Sequence, residues 1–262
     1  MTEAASRFDA FLNGRIQVIQ PDGHHHAGLE AMLLSASVPG DFTGTVVDLG
    51  AGVGVAGMAI AARAPGARVT LVERDPVTIE AARSSLAHLA NAAFAPRVTI
   101  VAADITAPEA QRVSAGLGRE FADAVVTNPP FYDASGGTQS PVAELRGAHV
   151  LEEGDLETWV RTAASILKPG GRLIVIFRAD GLSQLFGPLA GRFGGITILP
   201  VHPRADHPAR RILIAAEKGS RAPERLLPGL ALHVAVGNGY LQPIERILRE
   251  GASLAEVYPA WR

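Results

Sequence analysis

The chain contains no cysteine, which excludes disulfides, thiolate metal sites and a cysteine nucleophile. No apolar run reaches the ~18–20 residues that a bilayer-spanning helix needs. Residues 1–6, Met-Thr-Glu-Ala-Ala-Ser, show neither the basic nor the apolar region of a secretory signal. The expectation is a soluble, cytoplasmic protein with no membrane partner. Internal repeats and low-complexity linkers are missing too. Disorder is not indicated, because 47% of the residues are hydrophobic and the mean hydropathy is +0.18. A length of 262 residues suits one large domain, or one domain with extensions.

The net charge is only −2, but it is unevenly spread. Residues 158–225 carry eleven Lys and Arg against four acids. An asymmetry of this kind favours a polyanionic partner, nucleic acid before others, over ordinary solvated faces.

The pattern from Thr45 onward alternates between strand and helix. Val46-Val47-Asp48-Leu49, Arg68 to Glu73, Val98 to Val101, Phe121 to Thr127 and Leu173 to Phe177 read as strands. Between them, residues 55–64, 76–89, 107–116 and 156–167 read as helices. Asp75-Pro76 supplies an N-cap and a first-turn proline for the second, and Lys168-Pro169-Gly170-Gly171 reads as a turn. This alternation predicts an α/β fold: a Rossmann-like parallel sheet covered by helices on both faces. Ile196 to Leu199 and Ile212 to Ala216 are spaced for an antiparallel hairpin at the sheet edge. Residues 4–11 suggest a short amphipathic helix, Arg15 to Gln20 a half-buried strand, and Leu29 to Leu34 a helix. Beyond Gly219 the signal weakens to a strand tendency at Leu230 to Val236 and a short helix near Ile244 to Glu250. The organisation expected is an N-terminal extension over 1–40, a central domain over 41–218 and a dependent C-terminal extension over 219–262. His24-His25-His26 invites a metal reading, yet consecutive histidines on one loop rarely share a tetrahedral ion without other ligands. A polar loop and no metal is the better expectation.

Two stretches carry chemistry. The first is Asp48-Leu49-Gly50-Ala51-Gly52-Val53-Gly54, a glycine loop between a strand and the helix it feeds. Residues without side chains let backbone approach a ligand, and the helix start offers free N–H groups. Gly52 to Gly57 also spells G-x-G-x-x-G, so an NAD(P)-dependent oxidoreductase is the competitor. Asp48 favours S-adenosylmethionine, since a carboxylate there meets the positively charged end of that cofactor and repels a pyrophosphate. Asp104, ending the third strand and placed for an adenine amino group, points the same way, as do the Lys168–Gly171 turn and the hairpin tail. The second stretch is Asn128-Pro129-Pro130-Phe131-Tyr132, where two prolines end a strand in a stiff corner. Pro129 also holds Asn128 extended.

These motifs resemble the class I S-adenosylmethionine-dependent methyltransferases over roughly residues 40–217, and within them the Asn-Pro-Pro-Phe/Tyr group that methylates planar amino nitrogens. The resemblance implies a seven-stranded sheet with an antiparallel hairpin edge. It implies that Asp48, Gly50, Gly52 and Gly54 line the methionine moiety, with Ala51 in the same loop. Glu73 would serve the ribose beside Arg74, and Asp104 the adenine beside Ile105. Asn128 and the Pro129 carbonyl would accept hydrogen bonds from the target amino group, and Phe131 would stack on the target base, Pro130 stiffening the corner. Gln20-Pro21, Ala27-Gly28-Leu29, Leu33-Leu34, His202-Pro203-Arg204 and Arg211 to Ala215 narrow the resemblance to the group methylating adenine N6 in a valine tRNA. His24–His26 and Glu30 depart from that group, which has a Gly-Tyr-Arg-like segment and an aspartate there. On this reading RNA, tRNA first, is the partner, contacted by Tyr132 and by Arg178, Arg204, Arg210, Arg211 and Lys218. Guanine N2 in ribosomal RNA and a protein glutamine are the alternative substrates of the same corner.

Overall fold

Along the central strands, apolar side chains alternate between two cores, as they must when both faces of a sheet are covered. The computed structural model describes residues 8–24, 26–130 and 155–261. A two-stranded antiparallel hairpin, β1 (Phe8–Phe11) and β2 (Ile16–Ile19), precedes α1 (Leu29–Ala36). Then follow β3 (Gly44–Leu49), α2 (Val55–Arg63), β4 (Ala67–Glu73), α3 (Pro76–Leu86), β5 (Val98–Ala102), α4 (Glu109–Ser114) and β6 (Ala122–Thr127). After residue 154 come α5 (Asp155–Ile166), β7 (Leu167–Arg178), α6 (Leu182–Leu189), β8 (Phe193–His202) and β9 (Arg211–Lys218). The tail holds β10 (Arg225–Leu226), β11 (Leu230–Ala231), α7 (Gln242–Glu245) and α8 (Leu254–Val257).

The sheet runs β5-β4-β3-β6-β7-β9-β8, with the short β10 and β11 added to the outer edge of β8. Neighbours are parallel except at β9, which is antiparallel to both β7 and β8. Seven strands are therefore full-length, as expected, and two two-residue strands bring the total to nine. Val46, Ala124, Val126 and Ile174 join α1, α2, α3 and the tail in one core. Val47, Val125, Leu173 and Val175 join α5 and α6 in the other. Gly57 shows how closely α2 lies on the sheet: a Cβ there would come 2.2 Å from a methyl of Leu71. Among the described residues no helix is long and apolar enough to cross a membrane.

Several expectations are corrected. Phe8–Phe11 is a strand, not the end of a helix, because it pairs in register with β2; residues 4–7 lie outside the described residues. The strand tendency at Leu230 to Val236 is realised only at Leu230–Ala231, with an isolated bridge at His233. The helix expected over Ile244 to Glu250 begins as α7 and widens to a π turn over Arg246–Glu250. Lys168–Gly171 lies within β7, where it bulges: the register jumps from Ala122↔Leu167 to Ala124↔Arg172. The sequence reading omits α6, whose Gly187 and Pro188 disguise a helix that buries Leu185 and Leu189.

Besides the pairing of β10 and β11 with β8, one buried guanidinium ties the tail to α1 and α2. Arg63, at the end of α2, donates to the Gly251 carbonyl at 2.6 Å and the Ser35 carbonyl at 2.8 Å, and reaches Val38 O at 3.3 Å. Burial, aided by the nearby Arg15 but opposed by Glu256, lowers its pKa to about 10, so it stays charged at neutral pH. Arg63→Met leaves these carbonyls without their donor. It is expected to lower stability by about 2–4 kcal/mol in urea unfolding. A loss below ~0.5 kcal/mol, the level of an ordinary surface change, contradicts this role.

Candidate active site

The carboxyl ends of β3, β4, β5 and β6 meet at one sheet edge, the place where open α/β sheets bind ligands. There the first strand turns sharply into α2. Gly50, Gly52 and Gly54 all have positive φ, at 72°, 55° and 86°, which the loop needs and other residues resist. Gly50 N and Ala51 N both donate to Val72 O at 2.9 Å, pinning the loop to β4. Among the described residues a Cβ on Gly52 would meet nothing within 4 Å, so the crest of the loop is clear of them.

Carboxylates flank that space. Glu73 accepts from Gly52 N at 2.8 Å with one oxygen, and from Arg74 N at 2.7 Å and Asp75 N at 2.9 Å with the other. Asp104 accepts both the N–H and the hydroxyl of Thr106, at 2.8 and 2.7 Å, and pairs with Arg74 at 3.2 Å. Burial acts to raise the Asp104 pKa, but the Thr106 bonds and Arg74 outweigh it and hold the carboxyl below the usual value. Ile105 is buried beneath the loop. His24 of the histidine loop sits 3.2 Å from Asp75, the N-cap of α3. His25 lies outside the described residues.

Asp48 sits differently from the others. It is only 2% exposed and accepts from Gly57 N at 2.9 Å in the first turns of α2. Burial, offset in part by that bond and reinforced by Glu73, pushes its pKa up to about 7. It thus backs the loop from within the core.

The opposite half of the site begins at Thr127. Its hydroxyl donates to Leu49 O at 2.7 Å and accepts from the Trp159 indole N–H at 2.8 Å. Trp159 in turn lies under Gly50, where a Cβ would come 2.7 Å from the ring. One buried chain of two hydrogen bonds therefore couples the glycine loop to the strand end that carries Asn128. Asn128 gives its Nδ2 to Glu30 of α1 at 3.1 Å, and among the described residues its buried Oδ1 has no partner. Glu30 also accepts from Arg211 Nε at 2.5 Å. Pro129 is buried behind the amide. Phe131 and Tyr132 lie outside the described residues.

The expected cations are less available than the sequence suggests. Arg211 is engaged by Glu30, Arg178 by Asp180, and Arg204 by the carbonyls of Val234 and Gly237. Arg210 is exposed close to Arg211. Lys218 is not brought to this edge at all. It ends the antiparallel β9, about 24 Å from Arg211 by strand rise, and binds Glu120 and Leu167 O. Glu30, Thr127 and Trp159 are the site residues that sequence reasoning missed as such. Glu30 stands 98 positions from Asn128, and no local signal links them.

The sheet order, the glycine loop and the carboxylates at successive strand ends define a class I S-adenosylmethionine-dependent methyltransferase. The methyltransferase small domain model matches residues 27–200, and the chain belongs to that family. It is 31% identical over 181 residues to a tRNA1(Val) (adenine(37)-N6)-methyltransferase of Porphyromonas gingivalis, covering 68% of each chain. It is 33% identical over 135 residues to a release factor glutamine methyltransferase of Mycolicibacterium smegmatis, covering 50% of this chain and 44% of that one. Among solved structures, a predicted O-methyltransferase of Agrobacterium tumefaciens superposes with a TM-score of 0.72 at 36% identity, over 85% of this chain and 96% of that one. With the family established, the oxidoreductase alternative falls.

The raised Asp48 pKa makes a prediction of definite sign. A carboxyl whose folded pKa exceeds its unfolded value favours the folded state at low pH and loses that contribution as pH climbs to the folded pKa. The stability of the wild type relative to Asp48→Asn should fall between about pH 4 and about 7 and level off above. A difference that is flat across this range contradicts the burial of an ionisable Asp48.

Proposed function

We propose that the protein transfers a methyl group from S-adenosylmethionine to the exocyclic N6 of an adenine in RNA, tRNA above other RNAs. The observation that carries this reading is the Asn128 carboxamide, whose buried oxygen has no partner among the described residues while its nitrogen is committed elsewhere. A buried acceptor without a donor costs roughly 1–3 kcal/mol, and a ligand bearing an N–H group removes that cost.

The residues fit the cofactor. The open crest over Gly52 accommodates a ligand that a side chain would exclude. Glu73 and Asp104 would take the ribose and adenine ends, with Gly50, Ala51, Gly52, Gly54, Arg74 and Ile105 around them. Bound S-adenosylmethionine supplies an electrophilic methyl group. Asn128 does the rest that a planar amine requires. The lone pair of an aromatic amino nitrogen is delocalised into its ring, and an acceptor on its hydrogen localises and aims that pair. No strong base is needed, since the nitrogen becomes acidic once alkylated and its proton passes to water. The Thr127–Leu49–Trp159 chain keeps donor and acceptor halves in fixed relation.

RNA is favoured over a protein glutamine by the basic surplus of residues 158–225 and by the likeness to the tRNA-directed relative. Purified protein incubated with labelled S-adenosylmethionine and bulk tRNA is expected to yield N6-methyladenosine on nucleoside analysis. Label in N2-methylguanosine or in release factor protein would overturn the substrate. Binding to tRNA should weaken steeply as salt rises, and salt-independent binding contradicts the phosphate contacts. Asn128→Ala should lower turnover roughly 100- to 1,000-fold, the cost of a transition-state hydrogen-bonding group, while cofactor affinity measured by calorimetry stays the same. Unchanged turnover removes Asn128 from its role.

A further inference from the structure

We infer that Glu30 is a positioning residue: held by Arg211, it fixes the Asn128 carboxamide in the one orientation that presents oxygen to the acceptor nitrogen. The inference rests on the reading of Asn128 given above. It concerns a residue of α1, outside the sheet, that no strand-end motif includes.

A carboxamide is nearly symmetric in shape but opposite in chemistry at its two ends. Turned through 180°, Asn128 would offer two N–H donors to a substrate group that is itself a donor, and methyl transfer would lose its side-chain acceptor. The corner alone does not decide between the two orientations, since Pro129 constrains the backbone and not the amide. A carboxylate decides it. Glu30 only accepts, so Nδ2 faces it, at 3.1 Å, and the turned state would set oxygen against oxygen. Among the described residues, Oδ1 is then left buried without a partner.

Glu30 is itself held. Arg211 Nε donates to its other oxygen at 2.5 Å, and Arg211 Nη1 donates at 3.0 Å to the carbonyl of Arg210, just ahead of β9. Both side chains of the pair are largely shielded, at 23% and 33% exposure, so the link is not a freely solvated surface bridge. Arg211 thus acts through Glu30 on the amide, which assigns it a task other than phosphate contact. Glu30 lies two residues into a helix that follows the histidine loop, so the orientation of a residue on β6 depends on the packing of a segment about a hundred positions earlier.

Glu30→Gln tests this with almost no change of shape. A neutral amide has both donors and an acceptor, so it tolerates either orientation of Asn128. Turnover with S-adenosylmethionine and bulk tRNA is expected to fall roughly 30-fold, the value of one charge-assisted hydrogen bond, through kcat and not through KM or cofactor affinity. Glu30→Asp should restore part of it. In an Asn128→Ala background Glu30→Gln should cost nothing further, because residues acting as one unit are non-additive. Asparagine-selective 15N labelling supplies a readout free of substrate: of the four asparagines, only Asn128 should shift its side-chain amide signals in Glu30→Gln. Turnover of Glu30→Gln within about twofold of wild type, an additive double variant, or unmoved Asn128 signals overturns the inference. Full activity in Asn128→Ala overturns instead the reading on which it rests, and the two failures are separable.

Discussion

The site depends on one carboxamide having its two ends treated unequally. Asn128 spends its nitrogen on Glu30 and keeps its oxygen buried with no donor among the described residues. Left alone, such an oxygen is a defect of the fold, since nearly all buried polar groups in native proteins are paired. On the proposed reading, its place at the carboxyl edge of a parallel sheet, opposite the glycine loop, makes it the recognition element for an N–H donor. Stability given up at this atom would then be returned on substrate binding, which is how a binding site differs chemically from packed core.

Two structural couplings make that atom useful. Thr127, next to Asn128 on β6, joins the carbonyl of Leu49 to the indole of Trp159, and Trp159 underlies Gly50. The loop that would cradle the methyl donor and the corner that would hold the acceptor are therefore parts of one rigid edge. Positioning of this kind is where methyl transfer gains most, because the reaction needs its atoms in line and little acid–base chemistry. From the other side, α1 and β9 deliver Glu30 and Arg211. The N-terminal segment is thus more than packing on the sheet: it supplies the carboxylate that holds the Asn128 amide nitrogen.

Much of this was legible in the sequence, for reasons that can be named. Strands of a parallel sheet buried on both faces read as near-continuous apolar runs, so Val46 to Leu49, interrupted only by Asp48, and Leu173 to Phe177 announce themselves. Positive φ at Gly50, Gly52 and Gly54 is visible because only glycine takes it readily, and Asp75-Pro76 marks a helix start by its own chemistry. What stayed hidden is tertiary. Whether Lys218 shares an edge with Asn128 depends on β9 running against its neighbours, which places it at the far end. The Glu30 contact is set by how α1 packs on the sheet, and Phe8–Phe11 becomes a strand only through its pairing with β2. Gly187 and Pro188 weaken the local helix signal of α6, yet Leu185 and Leu189 still share a buried face one turn apart.

The most direct measurement is a structure of the protein with S-adenosylhomocysteine and an adenosine-bearing tRNA stem-loop. The account predicts the adenine amino nitrogen about 3 Å from Asn128 Oδ1, the normal length of such a hydrogen bond, with Nδ2 still on Glu30 and the cofactor sulfur over the Gly50–Gly54 loop. An Asn128 amide turned to face Glu30 with its oxygen, or a target base held away from it, would contradict the account.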